Sequence, residues 1–137
     1  MKFLSRSSIL GFAICLAGIS CKKQTTEQPP VNTVPRKVQF VLYTDKDFSG
    51  NNGMITFELS IQKLTNQVLW DSVLPPMKIK DIPGPANKWI IEKWVPGNEP
   101  SLLKTGFYYA IEGVGSSWFI DSFKVGETIK IIDFNFQ

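Results

Sequence analysis

The stretch "MITFELSIQK", residues 54–63, places Ile55, Phe57, Leu59 and Ile61 at every second position, with Thr56, Glu58, Ser60 and Gln62 between them. A period of two belongs to a strand whose successive side chains point to opposite faces, one buried and one wet. The pattern recurs upstream in Val38, Phe40 and Leu42 and, more weakly, downstream in Val68, Trp70, Ser72 and Leu74. Further strands are expected near 76–82, 88–95, 106–114, 117–125 and 127–136, separated by turn residues at Gly50 to Gly53, Thr65-Asn66, Pro75-Pro76, Pro83-Gly84-Pro85, Pro96-Gly97-Asn98, Gly115-Ser116 and Gly126. Only "NEPSLLKTG", residues 98–106, interrupts the alternation: Asn98 suits a helix cap and Gly106 a helix end, so a single helical turn is expected there. About 7–8 short strands in residues 36–137 predict an all-β fold, an antiparallel β-sandwich of immunoglobulin-like or prealbumin-like arrangement. The alternative is a small up-and-down barrel, disfavoured because closing eight strands round a cavity calls for longer ones. The paired cysteines that flank a tryptophan in antibody domains are absent.

The N-terminus follows a different logic. Residues 1–20, "MKFLSRSSILGFAICLAGIS", carry Lys2 and Arg6 ahead of an apolar run from Ile9 to Ile19. That run is shorter than the roughly 20 residues a helix needs to span a bilayer, and it has the form of a secretory signal peptide. Small residues lead from it to Cys21 in "LAGISC". This resembles the lipobox of bacterial lipoproteins, with Ser20 at the small position before the cysteine, Ile19 ahead of it, and Gly18 where the family usually has Leu. Together with the polar segment and the small β-rich domain that come after it, it resembles the small lipoproteins of Bacteroidetes. The resemblance implies lipidation at Cys21 and anchoring to the bacterial outer membrane, on its periplasmic or cell-surface face. Cysteine usage agrees: Cys15 lies in the signal, so the mature chain holds one cysteine and cannot form an internal disulfide. Several acyl chains on that residue would meet the need for more than one anchor. Residues 21–35 carry the polar, proline-containing "KKQTTEQPPVNTVP" and are expected to form a tether reaching up to ~40 Å from the bilayer. Lys22, Lys23 and Gln24 stand where surface-exported Bacteroidetes lipoproteins usually carry an acidic cluster.

Charge excludes one class of partner. The whole chain has 15 basic and 12 acidic residues, but Lys2, Arg6, Lys22, Lys23 and Glu27 precede the domain, which leaves 11 of each sign in residues 36–137. A neutral domain with no basic stripe has no electrostatic footprint for nucleic acid.

Catalytic chemistry finds little support. Histidine is absent, which removes Ser-His-Asp and Cys-His nucleophile systems and imidazole zinc sites. Glu58, Glu92, Glu112 and Glu127 fall at alternating strand positions or strand ends where solvated charge is expected, and nothing marks two of them as a facing pair. The chain is therefore expected to be no enzyme and to need no cofactor. In "YTDKDFSGNNG", residues 43–53, Asp45, Asp47 and Ser49 alternate before Gly50 like the start of a calcium loop. Counted from Asp45, however, the twelfth position is Thr56 rather than glutamate, and the flanks are strands. The loop reads as a turn, with Asp45, Asp47 and Ser49 a metal site only if another loop supplies carboxylates.

Aromatic residues are abundant: 15 of the 102 residues from Arg36 onward are Phe, Tyr or Trp. By parity, Phe57, Trp89, Phe107 and Tyr109 share faces with apolar residues and are expected in the core. Tyr43, Trp94 and Tyr108 fall opposite, beside Gln39, Glu92 and Glu112, and Trp118 lies in a strand with apolar residues on both faces. Tyr43, Trp94, Tyr108 and Trp118 thus form the candidate binding surface, suited to a protein or glycan partner. The competing role is that of a structural subunit of an envelope assembly, pairing through a strand edge.

Overall fold

The computed structural model describes residues 34–137. The signal peptide, Cys21 and the tether up to residue 33 lie outside the described residues. The remainder is an all-β sandwich of two sheets. Its strands are β1 (Lys37–Tyr43), β2 (Met54–Lys63), β3 (Val68–Val73), β4 (Met77–Lys78), β5 (Trp89–Trp94), β6 (Leu103–Ile111), β7 (Gly115–Phe123) and β8 (Ile129–Asn135).

β2 is the spine of the larger sheet, ordered β3-β2-β6-β7, with β4 pairing the start of β2. Ser60, expected on the wet face, is buried at 1% exposure, but Ile55, Phe57, Leu59 and Ile61 keep their half of the alternation and are all completely buried. The smaller sheet is ordered β5-β1-β8 and turns Val38, Phe40, Leu42, Ile132 and Phe134 toward them. Between the sheets the aromatic rings meet edge to face, Phe57 against Phe107, Phe134 and Phe136 at 6.4, 6.4 and 6.1 Å and Phe40 against Phe107 at 5.6 Å. Such geometry sets the positive ring edge on the negative face and adds to the gain from burial.

Pairing is antiparallel except between β1 and β8, which run parallel from Lys37↔Ile129 to Tyr43↔Asn135. The first strand thus lies between β5 and β8 rather than beside β2. An immunoglobulin domain places its first two strands side by side in one sheet, so that order is excluded. The barrel is excluded as well, since no ladder joins the two sheets. The expected two-sheet sandwich is what the strands build.

Three local expectations are corrected. The strand expected at 76–82 is only the two-residue β4, because Ile79–Asp81 forms a 3₁₀ turn. Residues three apart eclipse in such a turn, and this brings Ile79 and Ile82 into the core together, 4% and 5% exposed. The helical turn expected at 98–106 is instead a 3₁₀ turn at Pro96–Asn98 followed by the start of β6, with Leu103, Thr105 and Phe107 buried. Trp89 has the inward parity expected, opposite Leu42, but it sits on the edge strand β5 with no strand beyond it, and 39% of it is exposed.

Gly106, expected to end a helix, lies in the middle of β6 opposite Ile120. A Cβ there would stand 2.7 Å from the Ile120 Cα and closer still to the Phe119 carbonyl oxygen. The close approach of β7 requires a residue without a side chain. Gly106→Ala is expected to destabilise the domain by about 2 kcal/mol, the scale of overpacking, and to lower Tm by roughly 10 °C for a domain of this size. A thermal melt within a degree or two of the parent would refute the close approach.

The residue that ties the start of the domain to the connections before β6 and after β7 is Arg36. Only 3% exposed, it spends its five guanidinium N–H donors on five backbone carbonyls: Glu127 (3.0 Å), Glu99 (2.6 Å), Ser101 (2.7 Å), Phe123 (3.2 Å) and Lys124 (2.7 Å). Its planar group also covers the Phe123 ring at 3.9 Å. Burial pulls its pKa downward, opposed by the negative charges of Glu127 and Glu99.

Candidate functional site

The outer face of the larger sheet carries the side chains that the core-facing residues of β2, β6 and β7 leave pointing outward. Phe57, Phe107 and Phe119 turn inward, Phe119 stacking on Phe134 at 5.0 Å. Their neighbours Glu58, Tyr108 and Trp118 therefore turn out. The register sets these in one row: Val73 opposite Glu58, Glu58 opposite Tyr108, and Tyr108 opposite Trp118. Thr56, Ala110 and Ser116 form the next row. Directly opposed side chains on neighbouring strands have Cβ atoms about 5 Å apart, so the row is continuous. It borders a groove of about 430 Å³, which Gln62 and Ser117 complete. Trp118, on the edge strand β7, is 67% exposed.

The four aromatic residues proposed as one surface divide into two pairs on opposite sides of the sandwich. Tyr108 and Trp118 are neighbours on the larger sheet. Tyr43 and Trp94 lie on the outer face of the smaller one, with Trp94 opposite Lys37 and 59% exposed. Lys88 places its Nζ 3.7 Å from the centre of the Tyr43 ring and 3.8 Å from Asp133, so the face of Tyr43 is already covered. Lys37 bonds Glu92 at 2.9 Å and lies 5.7 Å from the centre of the Trp94 ring. Trp94 and Tyr43 therefore do not join the platform made by Tyr108 and Trp118, because parity assigns a face within a sheet and not the sheet.

The Asp45 loop is built around amide donors. The Asp45 backbone N–H donates to Asn135 Oδ1 at 3.2 Å, while Asn135 Nδ2 returns a bond to the Asp45 carboxylate at 2.9 Å and Gln137 Nε2 adds one at 3.2 Å. These side-chain donors hold the Asp45 pKa below the usual carboxylate range. The reciprocal pair with Asn135 orients both amide ends. Asp47 accepts the backbone N–H of Ser49 at 2.9 Å, which lowers its pKa likewise. The carboxylates of Asp45 and Asp47 thus face hydrogen-bond donors, the one for Asp47 supplied by Ser49 itself, and these point positive ends where a cation would sit. Thr56, at the twelfth position from Asp45, faces outward on β2. Among the described residues no three His, Cys, Asp or Glu side chains form a group able to hold a metal ion.

Glu58 is the residue that sequence reasoning passed over, since an outward carboxylate on a strand looks like ordinary solvated charge. Its partners across the sheet, Val73 and Tyr108, set it in the row that borders the groove. Among the described residues it makes no ion pair. Comparison with protein-family models, curated proteins and solved structures gives no match for this chain.

Proposed function

We propose that this chain is a lipid-anchored extracytoplasmic recognition module, held at the bacterial outer membrane through Cys21, that binds a protein or glycan through the outer face of its larger sheet without catalysis. The observation that carries the reading is the unbroken row of Val73, Glu58, Tyr108 and Trp118 beside an open groove. An exposed tryptophan and a half-buried tyrosine next to a carboxylate supply large contact area at small conformational cost, together with an orienting polar group. The absence of histidine and the neutral domain charge favour binding over chemistry and over nucleic acid.

Tyr108→Ala and Trp118→Ala are expected to keep Tm within about 5 °C of the parent, because neither side chain is in the core cluster. Retention on the protein or polysaccharide fraction of a bacterial envelope should fall at least about fivefold, the effect of losing an anchor worth more than ~1 kcal/mol. Unchanged retention on every fraction by both variants would reject this face as the recognition surface. For the anchor, Cys21→Ser should shift the protein out of the membrane fraction or leave the precursor uncleaved. An unacylated mature chain in an intact-mass spectrum would refute it.

A second reading, a structural subunit pairing through a strand edge, draws on β8. This strand ends the smaller sheet and exposes Ile129 and Ile131 on the outer face that Ile90 and Trp94 share from across β1. Ile131→Lys should then abolish assembly while leaving the groove's binding intact.

A further inference from the structure

The lining of the groove discriminates among ligand classes, and the choice of class rests on the reading of this face as the recognition surface. Tyr108 and Trp118 sit directly opposite each other on β6 and β7 and set two aromatic side chains side by side along the groove. The negative face of an aromatic ring attracts the C–H bonds of an apolar face laid on it. Beside them stand groups able to accept and donate hydrogen bonds: the Glu58 carboxylate and the hydroxyls of Thr56 and Ser116. A carboxylate accepts through two oxygens and can take two neighbouring hydroxyl donors at once. A pyranose has both features, a C–H face and a rim of adjacent hydroxyls.

Charge narrows the class further. No basic side chain is among the described residues lining the groove, whose single ionised group is Glu58. Lys104, which projects from the same face opposite Gln62 and Ser122, donates to Asn66 Oδ1 instead. An anionic ligand would meet Glu58 with nothing to balance it. Exposure argues against a cation: Trp118 is 67% exposed, so the aromatic surfaces form an open floor. Cation–π attraction is strongest where the cation is desolvated inside an aromatic enclosure.

We infer that the groove binds a neutral polysaccharide, with sugar rings stacked on Trp118 and Tyr108 and ring hydroxyls donating to Glu58. The full-length protein in detergent micelles is titrated with neutral glucan, mannan and galactan, with polygalacturonate as the anionic comparison and polylysine as the cationic one, by calorimetry and tryptophan fluorescence. Saturable binding to at least one neutral polysaccharide is expected. It should weaken at least tenfold in Trp118→Ala and at least fivefold in Tyr108→Ala, and about tenfold in Glu58→Gln, which keeps the shape but loses the charge. Trp94→Ala, on the opposite sheet, should bind as the parent does, and melting curves certify that each variant is folded. Binding to none of the neutral polysaccharides, binding indifferent to Trp118→Ala, or preference for polygalacturonate or polylysine would each overturn the inference. If no neutral polysaccharide binds while Trp118→Ala still loses retention on an envelope protein fraction, the glycan assignment falls and the recognition surface stands. If that retention is also unaffected by both aromatic substitutions, both fall.

Discussion

Replacing Arg36 by alanine is expected to destabilise the domain by about 4 kcal/mol, because it strips the donors from five buried or half-buried carbonyls in a single change. Those carbonyls belong to Glu99 and Ser101 ahead of β6, to Phe123 at the end of β7 and to Lys124 and Glu127 between β7 and β8, so one side chain ties the start of β1 to two connections that run between the sheets. Stranded in the interior, each oxygen would have to recruit water or remain unpaired. With a total stability of ~5–15 kcal/mol for such a domain, the loss should lower Tm by on the order of 20 °C. Arg36→Lys should recover only a small part of it. An ammonium offers three donors from one point, against five from a planar fork, and it cannot lie flat on the Phe123 ring. Equal melting temperatures for parent and Arg36→Ala would show that the carbonyls find other partners at no cost.

Phe57→Ala should be comparably severe, about 3–5 kcal/mol, since it empties a fully buried site at the centre of the aromatic cluster. The cavity would open between Phe107, Phe134 and Phe136; the first two are held on β6 and β8 and cannot collapse inward without breaking their strands' register, and Phe136, just past β8, is tied by its backbone N–H to the Tyr43 carbonyl. Trp89→Ala removes a larger side chain yet should cost under ~1.5 kcal/mol, because that side chain lies at a sheet edge and is 39% in contact with solvent. Urea unfolding of the two variants makes the comparison: the midpoint should drop sharply for Phe57→Ala and little for Trp89→Ala, with m unchanged in both. Equal midpoints would contradict the placement of the core.

The candidate site was legible in pieces. Alternation placed Tyr108 outward and Phe107 inward correctly, as it did for the neighbours of Phe57. It could not pair Tyr108 with Trp118, nor separate both from Tyr43 and Trp94, because face parity is a local property and sheet membership is not. Trp118 was ambiguous for a related reason. Phe119 beside it is also apolar, and only the stacking of Phe119 on Phe134 shows which of the two points inward.

The same division runs through the fold. The period-two pattern of residues 54–63 and the turn residues between strands were enough for an all-β sandwich, since a strand half in water and half in a core leaves its signature residue by residue. Even the exceptions were local in form: Ile79 and Ile82 stand three apart, the spacing of the 3₁₀ turn they occupy. The parallel pairing of β1 with β8, the need for glycine at position 106 and the burial of Arg36 arise from contacts between segments far apart in the chain. Nothing near Arg36 in sequence distinguishes it from a solvated arginine. Its five carbonyl partners, 63 to 91 residues away, exist as a binding site only after the sheets have closed around it.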